Sequence, residues 1–243
     1  MRTIILTAAI FCAFFTLLGS EVKMQKDTSD FVAKVRSQRS SSWARLNGTI
    51  QHRRSGASAV SMPVYLGLII QEHRTTGQLV LDNKEGYLLG QGRGGNASSV
   101  VPMQTSTALL DNTGVRASDL TLAFIFDDVT GEEEPATVSG VVKCRVIRFT
   151  NAKTKECARV YISRDHFFPL KSEFFRQGEN TPWRTLECDG FDQKNGLYYA
   201  SRLRLEGPGW RTRIYFDAAR CEMGVYNVSA PERVIQQLPL EKK

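Results

Sequence analysis

Residues of the kind that chemistry draws on are present in this chain, but their spacing assembles no familiar reaction centre. Asp119, Asp127, Asp128 and the run Glu132-Glu133-Glu134 supply carboxylates of the type used in acid/base work. Carboxylates close in sequence are common, and nothing in the sequence gives these a partner or a pocket signature. The acidic run therefore reads as a solvated loop within an irregular stretch, Asp127 to Pro135. His52, His73 and His166 are scattered and no cysteine sits in a CxxC pair, so no metal site is expected. GxSxG, HExxH and Walker A sequences are missing. The glycine-rich "GQGRGG" at Gly90 to Gly95 follows a strand-like run without the βαβ context that phosphate binding requires, so it reads as a flexible loop. "DGFDQKNG", Asp189 to Gly196, lacks the twelve-residue calcium-loop spacing and reads as the end of a hairpin. The expectation is a non-enzymatic protein with no catalytic residue and no cofactor.

What must position any site here is mostly strand. A helix is predicted near residue 28: Thr28, Ser29 and Asp30 can cap it, and Phe31, Val32 and Val35 begin an apolar stripe that could continue to Trp43. Alternation of period two follows at Leu46 to Arg53 and Pro63 to Gln71, then at Gln78 to Leu81 and Gly86 to Leu89 across a turn at Asp82 to Glu85. Gly90 to Asp119 breaks the pattern, with a short helix expected at Thr107 to Leu110. Strands return as Val138 to Phe149, Ala158 to Ser163, Leu170 to Arg176, Trp183 to Phe191, Leu197 to Leu205 and Trp210 to Asp217. Asn195-Gly196 is a two-residue hairpin turn, because both positions tolerate positive φ. So many strands with so few helices predict an α+β fold: a strongly curved antiparallel sheet, an open half-barrel capped by a few helices.

The first residues read as an export signal. Arg2 precedes the apolar run Ile4 to Leu18, which is shorter than the roughly 20 residues of a membrane span, and Gly19-Ser20 offers a cleavage site. Residues 1–20 are assigned to that signal and 21–243 to a single domain. Arg2 is the only charged residue removed, so the formal net charge of +7 becomes +6. That mild basic excess suits an anionic membrane surface or no particular partner, and the dispersal of the lysines and arginines argues against nucleic acid. Cys144, Cys157, Cys188 and Cys221 remain, an even count that in an exported chain can form two disulfides of three possible connectivities.

With chemistry excluded, apolar surface is the remaining signal. "RVYISRDHFFPLKSEFFRQGE", Arg159 to Glu179, sets Phe167 and Phe168 on a turn and Phe174-Phe175 on the return strand. Only one of that adjacent pair can face inward, and Phe174, in phase with Leu170 and Ser172, is the expected one. On the last two strands Leu203, Leu205, Ile214 and Phe216 alternate with Arg202, Arg204, Arg211 and Arg213, giving one apolar and one arginine-rich face.

The order of elements from about residue 28 to residue 217 resembles the LolA/LolB-like lipoprotein carrier superfamily, in particular its LolA-like outer-membrane lipoprotein-sorting proteins. The resemblance rests on a capped helix, "ARLNGTIQHRR" (Ala44 to Arg54), "VRASDLTLAFIF" (Val115 to Phe126) and "ARVYISRDHFFPLKSEFFRQGE" (Ala158 to Glu179). The Arg-Pro strand of the family's carriers has its nearest counterpart in Ser61 to Gln71, where Met62 precedes Pro63. The resemblance implies a hydrophobic cavity that shields lipoprotein acyl chains or another lipid in the periplasm. It also implies a handoff partner, an inner-membrane transporter or outer-membrane receptor, and a monomeric chain. The cavity is expected to be lined on the early strands by Leu66, Leu68, Ile70, Leu79 and Leu81, and by Phe124. On the later strands the expected lining is Val160, Ile162, Leu170, Phe174, Leu203, Leu205, Ile214 and Phe216, with Phe167 and Phe168 at the rim. An envelope sensor or protein-interaction module on the same fold is the alternative function.

Overall fold

The structure, a computed structural model, describes residues 26–37, 41–71, 74–92, 99–103, 108–225 and 234–236. The expected export signal lies outside the described residues. The chain begins with helix α1 (Lys26–Ser37) and continues through β1 (Ser42–Arg54), β2 (Val60–Gln71), β3 (Arg74–Leu81), β4 (Glu85–Gly92) and β5 (Ser99–Pro102). Two short helices, α2 (Ala108–Thr113) and α3 (Ala117–Thr121), and a 3-10 turn, Ala123–Phe126, separate these from the second half. That half holds β6 (Asp128–Val138), β7 (Val142–Thr150), β8 (Cys157–Ser163), β9 (Pro169–Phe175), β10 (Arg184–Lys194), β11 (Leu197–Gly207), β12 (Trp210–Phe216) and β13 (Glu222–Val225).

All strands join one antiparallel sheet in the order β5-β4-β3-β2-β1-β12-β11-β10-β9-β8-β7-β6, open at both ends. β1 is long enough to take two neighbours on one side: Ser42 to Arg45 pair with β13 and Gly48 to Arg54 with β12. Strand twist accumulated over this many strands makes the sheet curl. Bulges in β6, at Tyr161/Ile162 of β8 and around Gly190 of β10 add local twist. The expected open, curved antiparallel sheet with few helices is the observed architecture.

Register fixes which residues face inward. Leu46 opposes Leu66, Leu66 opposes Leu79, and Leu79 opposes Tyr87, so one apolar row crosses β1 to β4. On the other side Ile50 opposes Ile214, Ile214 opposes Leu203, and Leu203 opposes Cys188. These side chains share one buried core with Val32 and Val35 of α1 and with Leu120, Phe124 and Ile125 of the helical segment. The inner face is thus roofed by α1, α3 and the 3-10 turn.

Several expectations are corrected. α1 ends at Ser37, and Trp43 is on β1, where it packs on the outer face with its indole buried. The stretch 127–135 is not a solvated loop: it forms most of edge strand β6, because Glu132 and Glu133 pair with arginines of β7 and β8. Val138 belongs to β6 and not to β7, since Ser139 and Gly140, both at positive φ, turn the chain between them. The helix expected at Thr107 to Leu110 is found at Ala108–Thr113. Gly90 to Gly92 continue β4, and the rest of the glycine-rich motif lies outside the described residues. No disulfide joins Cys144, Cys157, Cys188 and Cys221; Cys144 opposes Ser163 at one end of the β7–β8 pair and Cys157 opposes Thr150 at the other.

Candidate functional site: the roofed inner face of the sheet

The predicted lining residues fall mostly where the alternation puts them. Leu66, Leu68, Leu79, Leu81, Val160, Ile162, Phe174, Leu203, Leu205, Ile214 and Phe216 are buried on the inner face, and Phe124 reaches them from the 3-10 turn. Ile70 is half-buried at the end of β2. Leu170 is the exception: the β8–β9 bulge sets Pro169 opposite Ile162 and puts Leu170 out of phase with Ser172 and Phe174, so it is half-exposed. Phe174 is the inward member of the Phe174-Phe175 pair, and its ring meets Phe124 edge-on at 5.3 Å. Phe175 points to the outer face, where the Arg159 guanidinium covers its ring at 4.9 Å.

One charged pair interrupts this apolar surface. Arg184 opposes Phe174 in the sheet and so points inward, in phase with Leu186 and Cys188. Its guanidinium donates two bonds to Asp119 of α3, at 2.7 and 2.9 Å, and lies 4.0 Å over the Phe174 ring. Both side chains are sealed from solvent, at 1% and 0% exposure. Asp119 also accepts from the Arg116 backbone N–H at 2.8 Å, which ties the pair to the first turn of α3. Arg184 Nε is buried without a hydrogen-bond partner, so the fork is matched only in part. This pair was missed by the apolar-stripe reasoning, although an arginine in phase with Leu186 and Cys188 was a visible irregularity.

Other polar bonds also tie down the roof. Arg36 of α1 donates to the carbonyls of Ile125 and Asp127, at 2.8 and 2.9 Å, joining the helix to the 3-10 turn. Burial raises the pKa of the neighbouring Asp127 carboxyl to about 6, with the charges of Asp128 and Glu156 acting the same way and the Asn151 hydrogen bond and Arg36 opposing. Near the start of α1, Arg145 grips Glu132 through two nitrogens, bonds Asp27 at 2.9 Å, and stacks 4.5 Å over Phe31. The Arg145 bond holds the Glu132 carboxyl below the usual range despite its partial burial. A hollow of about 430 Å3 lies beside this junction, lined by Asp27, Thr28, Glu132, Glu133, Arg145 and Arg164 among others. Val129 and Pro135 also line it, but the charged side chains around them make it unsuited to acyl chains.

The rim residue Phe167 sits in the left-handed region at φ 52°. That conformation costs a bulky residue roughly 1 kcal/mol or more. The ring is held 5.5 Å from Phe31 and beneath Lys34 of α1 at 3.9 Å, so the turn and the helix fix one another. Phe168 stacks edge-on with Phe191 at 5.0 Å. At the far end, Trp210 lies against Gly114 and Gly207, where a Cβ would come within 2.8 and 2.4 Å of its ring. Beside it, His52 Nδ1 shares a 2.8 Å hydrogen bond with Thr212, whose hydroxyl donates to the Thr113 carbonyl. Burial lowers the His52 pKa, and the Arg54 charge adds to this.

Comparison with solved structures places this geometry. The chain is similar to a DUF1329 family protein from Desulfovibrio piger, with TM-score 0.65 and 15% identity over 83% of this chain and 92% of that one. It is similar to a domain assigned to outer-membrane lipoprotein sorting from Vibrio parahaemolyticus, with TM-score 0.58, 12% identity and coverage of 84% and 94%. A LolA superfamily protein from Nitrosomonas europaea matches with TM-score 0.53, 12% identity and coverage of 86% and 97%. The architecture is therefore the LolA-like fold. No family model matches the sequence, and neither does any curated protein.

Proposed function

We propose that the protein is a periplasmic, non-enzymatic carrier that shields the acyl chains of a lipoprotein or another lipid between the sheet and its helical roof. One observation carries this reading: the apolar inner face of a wide open sheet is covered not by further strands but by short helices, which rest on it through apolar side chains such as Val32, Leu120 and Phe124 and are tied down by polar bonds at Arg36, Arg145 and Arg184. Such a roof can lift without unzipping any strand. Each acyl methylene taken out of water contributes about 0.8 kcal/mol, so a single chain is enough for tight sequestration. The likeness to a lipoprotein-sorting domain supports the same reading. The lining is Leu66, Leu79, Phe124, Val160, Phe174, Leu203 and their inner-face neighbours, with Phe167 and Phe168 at the entrance.

Protein purified from an exporting host is to be extracted with solvent and its lipid measured by mass spectrometry. A stoichiometric phospholipid or acylated peptide is expected. In solution, Phe174→Ser is expected to weaken binding of a fluorescent fatty acid about tenfold, the equivalent of removing two buried methylenes. Phe175→Ser, on the outer face, is expected to leave that affinity unchanged. An empty protein that also fails to bind the fatty acid would shift the assignment to an envelope interaction module.

A further inference from the structure

The arginines of the outer face are arranged at a cost. In the β11–β12 pair Arg204 stands directly opposite Arg213, and in the β12–β1 pair Arg211 stands directly opposite Arg53. Like charges directly opposite one another destabilise a sheet. The nearby acids offset this only in part. Glu187 pairs with Arg204, Glu206 lies 2.7 Å from Arg211 and 3.8 Å from Arg204, and Asp189 contacts Arg202. No acidic group lies within ion-pair distance of Arg53 or Arg213 among the described residues. The same strands present an exposed aromatic ring. Tyr198 is 66% exposed and shares the outward phase of β11 with Arg202 and Arg204.

From this arrangement we infer that the outer face of β10, β11, β12 and β1 docks on an anionic phospholipid bilayer. A bilayer supplies what the face is missing, a plane of mobile phosphates that can settle between opposed arginines, and an interfacial layer in which a Tyr ring such as that of Tyr198 lodges. The arginines act together through their summed field and Tyr198 acts as the shallow anchor. The inference rests on this surface alone and stands whatever the inner face carries. Docking by the outer face leaves the roofed inner face directed away from the headgroups.

The test is sedimentation of the full chain with vesicles of phosphatidylcholine alone and of phosphatidylcholine mixed with phosphatidylglycerol. Binding is expected to the mixed vesicles only, and to be lost in 1 M salt, where screening shortens to about 3 Å. Replacing Arg53, Arg211 and Arg213 together by Gln is expected to weaken partitioning about a hundredfold, at roughly fivefold per basic residue. The melting temperature of that variant is expected to hold or rise, because the opposed charges are gone, whereas a purely structural role would lower it. The Arg53→Lys, Arg211→Lys, Arg213→Lys variant keeps the charge and is expected to bind as the parent does. Equal binding to neutral vesicles, or unchanged binding by the Gln variant, would overturn the inference, as would loss of binding in the Lys variant. Fatty-acid affinity measured without vesicles separates either result from the carrier assignment.

Discussion

Removing the guanidinium of Arg184 leaves the Asp119 carboxylate buried without a counter-charge. Breaking such a pair from one side costs about 3–5 kcal/mol, whereas replacing both partners with apolar side chains is often close to neutral. Arg184→Met is therefore expected to lose that much stability in denaturant melts, and Arg184→Met with Asp119→Leu to recover most of it. A double variant as unstable as the sum of its singles would show that the two residues act separately. Asp119 appears in the sequence only as one carboxylate among several, because its partner lies 65 positions away and nothing local links them. Phe174, by contrast, was legible: period two forces one of two adjacent phenylalanines inward, and its phase with Ser172 identifies which. The same rule failed at Leu170, where the bulge at Ile162 broke the phase, and bulges leave little trace in composition.

At the scale of elements, the junction between the 3-10 turn and β6 carries a pH dependence. The folded state raises the Asp127 pKa above its ordinary 3.8, to about 6, so the folded chain holds this proton more tightly than the unfolded one. The contribution to stability is fully present below the unfolded pKa and is lost as pH rises through about 6. Asp127→Asn, which can still accept from Asn151, is expected to raise stability at pH 8 by about 1 kcal/mol, a figure reduced for partial exposure, and to change it little at pH 4. Melting temperatures at the two pH values check this, and an equal gain at both would refute it. β6 itself was read as a loop because three consecutive glutamates look solvated. The partners of Glu132 and Glu133, namely Arg145, Arg148 and Arg159, lie on β7 and β8, so the contribution of these two became apparent only when the strands were side by side. The turn of the β10–β11 hairpin was predicted, since Asn195 and Gly196 both take the positive φ their types tolerate, whereas β10 runs on past Phe191 to Lys194 with bulges around Gly190.

For the whole molecule, the alternating runs were enough to anticipate an open, curved sheet, but not what covers part of its outer face. Val234 to Gln236 run across β2 and β3 there. Tyr65 donates to the Val234 carbonyl at 2.5 Å, and the fully buried Gln78 exchanges two bonds with the Gln236 backbone, at 2.7 and 2.9 Å. Gly67 makes the crossing possible, because a Cβ there would lie 2.3 Å from the Val234 carbonyl oxygen. Gly67→Ala is expected to destabilise the protein by about 1–3 kcal/mol. In a chain truncated before Val234 the same substitution is expected to cost much less, which thermal melts of the four proteins check. No periodicity announces such a strap, whose partners are more than 150 residues earlier. An open sheet also ends in two strands with unmet backbone groups, and these invite growth by edge-to-edge addition of further chains. β5 is only four residues long and closes on Pro102. β6 is long, but it is bulged twice, interrupted by Pro135 and lined by Glu132, Glu133 and Glu134. The acidic run that resembled an idle loop is thus a guard against fibrillar stacking, letting the barrel stay open without becoming a template.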